Sequence, residues 1–261
     1  MLKTILSRQL TPILRSVTGI GAGGLPIGEF ESIDSTYYTE PVGGSNAPTR
    51  YQWDLDGQDD FYLRGDPDYG STTTATVECV FVGRASPSPG ATKYLIGRHS
   101  FDRFFLAARD GLILIGNGGT SSDPAAIVIG DINYAKLTAS GTEIVCVLNG
   151  VEVYRQPQLW TGVLDSVGFA IRGDSSAGRY NGPIQAFRVT TDAQDDVYLL
   201  SSNGDFELPI GEEDANSTSK LTLQNGEPSG SDFELVTRKS DNSGWTGDGA
   251  NEYDYAAGAI A

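Results

Sequence analysis

Between residues 142 and 155 the chain reads TEIVCVLNGVEVYR, an apolar run from Ile144 to Leu148 broken by Asn149-Gly150 and resumed with Val151 and Val153 at alternate positions. Asn and Gly both tolerate the positive φ that a two-residue hairpin demands, so the stretch reads as two antiparallel strands folded back on each other. The same pattern recurs along the chain. TATVECVFVG sends Val77, Cys79 and Phe81 to one face, and KYLIGR, RFFLAARDGLILIGNGG, AAIVIG, SVGFAIRG and GPIQAFRVT read as further strands. Asp110-Gly111 is a second tight turn, and Gly118-Gly119 breaks the run after Ile115. Many short strands with closely spaced turns predict an antiparallel sandwich, with Val, Ile and Phe of both sheets turned into one continuous core.

Length and composition agree with one large β domain carrying appendages, since 261 residues bury a sizeable core and strong helix formers are scarce beyond the first twenty positions. Four segments are expected: an N-terminal arm and hinge over 1–28, a linker over 29–49, the sandwich over 50–195, and a C-terminal extension over 196–261. In the arm, Leu2, Ile5, Leu6, Leu10, Ile13 and Leu14 fall at three- and four-residue intervals, the stripe of a short helix. A short helix cannot bury such a stripe on itself, so it requires a partner surface. A signal peptide, an organelle presequence and an interfacial helix are the competing readings; Arg8 and Gln9 interrupt the run that a signal peptide needs. The extension is acidic and turn-rich, and its DFEL at 205–208 recurs at 232–235, suggesting small hairpins or a tail rather than a solenoid.

The formal charge of −16 is distributed as +3 over residues 1–28, −9 over 29–195 and −10 over 196–261. An acidic body repels a phosphate backbone, so nucleic acid is not an expected partner. No run of 18 apolar residues occurs, so no membrane span is expected either. Cys79 and Cys146 stand far apart inside strand-like runs and read as buried reduced thiols, cross-strand pairing being the alternative.

In order along the chain, QWDLDGQDDFYLRG, STTTATVECVFVG, VLNGVEVYR and IRGDSSAGRYNGPIQAFRVTTDA resemble successive strands of the laminin-G-like and concanavalin-like lectin family. The likeness covers about residues 50 to 200 and implies an all-β, two-sheet antiparallel jelly roll. NGDFEL and DFELVTRKSDNSGWTG also look like the opening strand of some carbohydrate-binding modules. Enzymes on this jelly roll that cut β-glucans carry a Glu-x-Asp-x-x-Glu strand whose paired carboxylates act as nucleophile and acid. This chain has no such strand: Glu143 and Glu152 stand singly, and Glu212-Glu213-Asp214 lies outside the sandwich.

His99 is the only histidine, which leaves Ser-His-Asp chemistry without a nucleophile elbow and reads as a turn residue. The DLDGQDD stretch reads as hairpin turns stabilised by side-chain to backbone bonds; the competing reading is calcium. The resemblance implies calcium near strand ends, held here by Asp59 and Asp60 with Asp174 brought close if the first and last strands pair. Trp160, Tyr180 and Trp53 are the leading candidates to stack on sugar rings, with core packing as the rival for each.

Two functions are expected from different classes. The first is a non-enzymatic virion structural or adhesion protein, a bacteriophage tail, fibre or head-decoration component. Its N-terminal helix docks on other virion proteins, it pairs with copies of itself as a homo-oligomer (a trimer, by resemblance), and its lectin-like domain meets a host-surface glycan. A lectin-like sandwich without a signal peptide and with few cysteines points to the virion, which leaves the cell by lysis. The alternative is a secreted or surface carbohydrate-binding protein or glycoside hydrolase.

Overall fold

The computed structural model describes residues 49–56, 61–64, 69–86, 88–98, 104–116, 121–157, 162, 164, 167–170, 178–193, 195–200, 206–207, 220–224, 233–238, 244–247 and 252–257. Those residues form eighteen strands and no helix. The first six are β1 (Thr49–Asp56), β2 (Phe61–Arg64), β3 (Ala75–Val82), β4 (Lys93–Arg98), β5 (Phe104–Arg109) and β6 (Leu112–Gly116). Next come β7 (Ser121–Ala126), β8 (Ile132–Ala139), β9 (Glu143–Leu148), β10 (Val151–Pro157), β11 (Gly168–Phe169) and β12 (Asn181–Thr191). The last six are β13 (Asp195–Leu200), β14 (Phe206–Glu207), β15 (Lys220–Gln224), β16 (Phe233–Arg238), β17 (Gly244–Gly247) and β18 (Glu252–Asp254). The N-terminal arm, with Leu2, Ile5, Leu6, Leu10, Ile13 and Leu14, lies outside the described residues.

Antiparallel ladders build two layers. One runs β10-β9-β8-β3-β12, with β1 and β13 sharing the far edge of β12. The other runs β15-β2-β11-β4-β5-β6-β7. Short ladders from β13 through β14 to β15 carry the hydrogen bonding from one layer to the other. Period-two alternation fills the space between them: Val77, Cys79 and Phe81 of β3, Leu137 of β8, Ile144 and Cys146 of β9, and Phe187 and Val189 of β12 share one buried cluster with Phe104, Leu106, Ile113 and Ile115. Phe169 meets Phe187 and Tyr198 edge-on at 5.4 and 5.5 Å, the arrangement that places a positive ring edge on a negative face.

The opposite face of the first layer is also buried. Val80, Val82, Ile132, Tyr134 and Ala186 occupy the alternate positions of β3, β8 and β12, and none is more than 1% exposed. What surrounds them is a ring of ladders: β12 pairs β1, β1 pairs β16, β16 pairs β17 and β17 pairs β18. Tyr255 then bridges Ile132 of β8, and the Ala256 N–H donates to the Ile132 carbonyl at 2.9 Å. Tyr255 and Ala256 are themselves buried. Glu78, 2% exposed on this same face, accepts from the Tyr134 hydroxyl at 2.8 Å and lies 3.7 Å from Arg188. Arg188 in turn holds Asp195 with two hydrogen bonds of 2.8 Å, so the carboxylate and guanidinium form a paired array.

Both tight turns are as the sequence requires: φ is 52° and 77° at Asp110-Gly111 and 51° and 74° at Asn149-Gly150. Both cysteines are free and buried. Burial pushes the Cys146 thiol up to about 12 and raises Cys79 as well, so neither is a thiolate nucleophile. Two strand expectations change, and one strand is added. AAIVIG is strand only to Ala126, since Ile127 leaves the ladder to donate to the Gly111 carbonyl and Ile129 makes an isolated bridge to Gly83. SVGFAIRG contracts to Gly168–Phe169 among the described residues, where Ala170 turns to a φ of 59° and donates to the Leu95 carbonyl. β8, INYAKLTA, is not among the strands that the sequence pattern marks, and it is a central strand between β3 and β9.

Candidate functional site

One end of the sandwich gathers the exit of β3, the entries of β4 and β12, and the β5–β6 turn. There a depression is lined by Arg84, Ser86, Lys93, Arg109, Asp110 and Asn181, with Tyr180 and Gly111 beside them. Sequence puts these residues in separate turns and strand ends; the ladders bring them together. Lys93 stands opposite Ala108 in the β4–β5 ladder, one residue from Arg109. Ile184 of β12 pairs with Phe81, which carries Asn181 toward the exit of β3 and Arg84.

The side chains are fixed by their neighbours. A Cβ at Gly182, where φ is 155°, would fall 2.5 Å from Arg84 Cγ and 3.1 Å from Tyr180 Cε1, so the absence of a side chain lets the Arg84 stem pass beside the Tyr180 ring. Arg109 is ion-paired to Asp123. Both Asp110 carboxylate oxygens accept from the Gly90 N–H, at 2.9 and 3.0 Å, tying the β5–β6 turn to the loop ahead of β4. Ser86 donates its hydroxyl to the Ser88 carbonyl at 2.6 Å. In a chain with 34 acidic and 18 basic residues, three of the four ionisable side chains named in this lining other than tyrosine are cations.

Tyr180, expected to stack on a sugar, is a core side chain. It is 1% exposed, its ring meets Phe81 edge-on at 5.8 Å, and its hydroxyl donates to the Val82 carbonyl at 2.6 Å. Both its ring face and its polar tip are therefore engaged within the fold, the packing that a Tyr bordered by strands favours. Trp53 stands in β1 opposite Ile184 on one side and Phe233 on the other, but its side chain lies outside the description. Trp160, Asp59, Asp60, Asp174 and His99 lie outside the described residues. The strand pairing on which the calcium expectation depended is present: β1 pairs with β12, and Asp56 stands opposite Asn181, at the depression. Among the described residues no group of three or more His, Cys, Asp or Glu side chains could hold a metal ion, and no helix is long and apolar enough to cross a membrane.

Sequence reading separated Glu143 from Glu152, whereas the β9–β10 hairpin joins them through Arg155. Arg155 is ion-paired to Glu143, and its Nε and Nη2 donate to Glu152 at 2.8 and 2.6 Å. Hydrogen bonding from Arg155 holds the Glu152 carboxyl below its usual range. A glycosidic proton donor needs the opposite shift, so this exposed pair is an ion-paired surface and not an acid and base couple.

No family model matches the sequence, and no curated protein matches it. Solved structures do. A protein from Bacteroides ovatus ATCC 8483, assigned as carbohydrate-binding, superposes with a TM-score of 0.51 at 11% identity, over 74% of this chain and 60% of that one. The present chain therefore spans less than two thirds of that protein. The CBM40 of Ruminococcus gnavus IT-sialidase bound to α2,3-sialyllactose matches at 16% identity and a TM-score of 0.38, over 60% of this chain and 95% of that one. Mouse laminin α1 domains LG4-5 match at 17% identity and 0.42, over 57% and 42%. At 11% identity the first likeness shows a shared fold, an all-β sandwich, and nothing beyond it.

Proposed function

We propose that this chain is a non-enzymatic, lectin-type glycan-binding protein. The observation that carries the reading is the depression at the sandwich end, where Arg84, Lys93, Arg109 and Asn181 present hydrogen-bonding groups from four separate segments, on a fold shared with a protein assigned as carbohydrate-binding. Sugars are recognised by such convergent polar groups set in a concavity. A glycan array probed with the full chain tests it: binding to one or more glycans, with the sugars recovered uncut, is expected. Binding to none, or release of shortened sugars, overturns it.

The setting we propose is a virus particle, with residues 1–28 as the docking arm and sister copies as neighbours. Its support is the Leu2, Ile5, Leu6, Leu10, Ile13 and Leu14 stripe on a segment of charge +3, which needs a surface to cover it. Deleting residues 1–24 is expected to abolish incorporation into particles while leaving glycan binding unchanged; normal incorporation of the truncated chain rules out the docking arm.

A further inference from the structure

We infer that one end of the sandwich carries a docking ridge for the N-terminal arm of a second copy of this chain; the inference rests on the docking-arm reading above and names the arm's partner. Among the described side chains, the large apolar ones left exposed are Val128, Ile129 and Val151, at 40, 50 and 59%. They come from two loops, yet one clasp joins them. Asn133 accepts from the Val128 N–H and donates to the Val128 carbonyl, while the Asn149 amide, two residues before Val151, donates to Asn133 Oδ1. Gly83 holds the same loop from its other side, accepting from the Gly130 N–H and donating to the Asp131 carbonyl at 2.9 Å each. Single exposed aliphatic side chains are ordinary, but three gathered on backbone this firmly tied form a contact made in advance.

Size and charge select the occupant. Three aliphatic side chains, none fully exposed, offer far less than the ~800 Å² per partner that a stable interface buries, so two sandwiches pressed together through the ridge alone would not hold. Strand addition beside Val151 is blunted as well, since β10 shifts register between Glu152 and Tyr154 and ends at Pro157. A short apolar stripe fits the ridge, and the chain owns one in Leu2, Ile5, Leu6, Leu10, Ile13 and Leu14. Its charges fit too. The arm carries Lys3, Arg8 and Arg15 with no acid. Asp131 and Glu152 flank the ridge, and the Arg155 guanidinium that pairs with Glu152 also serves Glu143, so acids outnumber the base there. Arg84 lies against Gly182 on the β12 side of β3, whereas the ridge leads into β8 on the other side.

Direction favours a second copy over the arm's own sandwich. β1 runs toward the ridge end, where Asp56 stands opposite Asn181, so the chain enters β1 at Thr49 from the other end. A strand of eight residues sets those ends about 25 Å apart. An arm leading into one end and a ridge at the other join copies head to tail.

Sedimentation velocity of the full chain tests it with two double variants, Ile129→Ser with Val151→Ser on the ridge and Leu6→Ser with Leu10→Ser on the arm. The parent chain is expected to self-associate, and each double variant to associate at least about tenfold more weakly. The ridge variant should keep a Tm near that of the parent, because both of its positions are exposed. Mixed together, the two variants are expected to form a dimer and nothing larger, since one supplies only an arm and the other only a ridge. A monomeric parent, with the arm on its own sandwich or on a foreign protein, overturns the inference, as does unchanged association of either variant or a mixture that stays monomeric. If deleting residues 1–24 abolishes incorporation into particles while the ridge variant incorporates normally, the docking-arm reading stands and this inference fails; if both incorporate normally, both fail.

Discussion

At the scale of single residues, Asp192 shows how much one carboxylate can organise. It follows β12 and receives the Thr73 N–H and the Thr73 hydroxyl, each at 2.8 Å, together with the Thr74 hydroxyl. These bonds fasten the end of β12 to the segment that leads into β3, across more than a hundred positions of sequence. Hydrogen bonds from Thr74 and then Thr73 drive its carboxyl well below the usual Asp range. The sign of the pH effect follows. A carboxyl whose folded pKa is depressed contributes stability that is fully present above the unfolded value near ~3.9, and loses it as pH falls toward the folded value. Asp192→Asn is therefore expected to lower Tm at neutral pH, with the gap to the parent chain narrowing as pH drops below about 4. Thermal melts of both proteins across that range check it, and a gap that stays constant with pH would show that the carboxylate charge is not what matters. STTTAT at 71–76 and TTDA at 190–193 carry no sign in the sequence that they meet, because each reads locally as turn chemistry.

At the scale of elements, the β9–β10 hairpin does more than reverse the chain. The Asn149 side chain is buried, its Oδ1 accepts from the Tyr134 N–H at 2.9 Å, and its Nδ2 donates to Asn133 Oδ1 at 2.9 Å. Asn133 in turn bonds the Val128 N–H and the Val128 and Asp131 carbonyls, fixing the loop between β7 and β8. The residue chosen for its positive φ is thus also the anchor of the neighbouring connection. Asn149→Ala removes the side chain from that network and leaves a non-Gly, non-Asn residue at a φ of 51°. A loss of about 2–4 kcal/mol is expected by denaturant titration, and a loss below about 0.5 kcal/mol would mean that water replaces the network fully. Strands with clean alternation, such as TATVECVFV and EIVCVL, were legible because β-branched and aromatic side chains mark their period. INYAKLTA was not, since Ala135, Lys136 and Ala139 are poor strand formers, and it is held in place by β3 and β9 on either side. The exit of AAIVIG from its ladder depends on the Gly111 carbonyl and Gly83, partners invisible to a local window.

At the scale of the whole molecule, the last strands belong to the ladder network of the sandwich. β13 pairs with β12, β15 with β2 and β16 with β1, and the Ala256 N–H bonds the Ile132 carbonyl, so among the described residues hydrogen bonds tie sequence from residue 195 onward to the preceding sandwich at four places. That explains why the candidate site was only half visible in the sequence. The Asp110-Gly111 turn could be read directly, but the meeting of Arg84, Lys93 and Asn181 depends on ladders between distant strands, and no spacing rule encodes it. The sharpest consequence concerns the second buried face. Val80, Ile132 and Tyr134 are apolar groups on the side of β3 and β8 away from the main core, and a sheet face of that kind is stable only when covered. The ring through β16, β17 and β18 closes on Ile132 at Tyr255 and Ala256. Removing residues 252–261 breaks the ring at its last ladder. Burial of a large apolar side chain contributes about 1.5–3 kcal/mol, so uncovering Ile132 and losing Tyr255 should together cost roughly 3–6 kcal/mol. The truncated chain is expected to bind a hydrophobic dye at that face and to melt at lower temperature, whereas the substitution Glu252→Gln, at an exposed position of β18, should do neither. An unchanged melting temperature with no dye binding would show that the face is covered by something other than the chain's own final residues, and the ring would then have no part in holding the sandwich together.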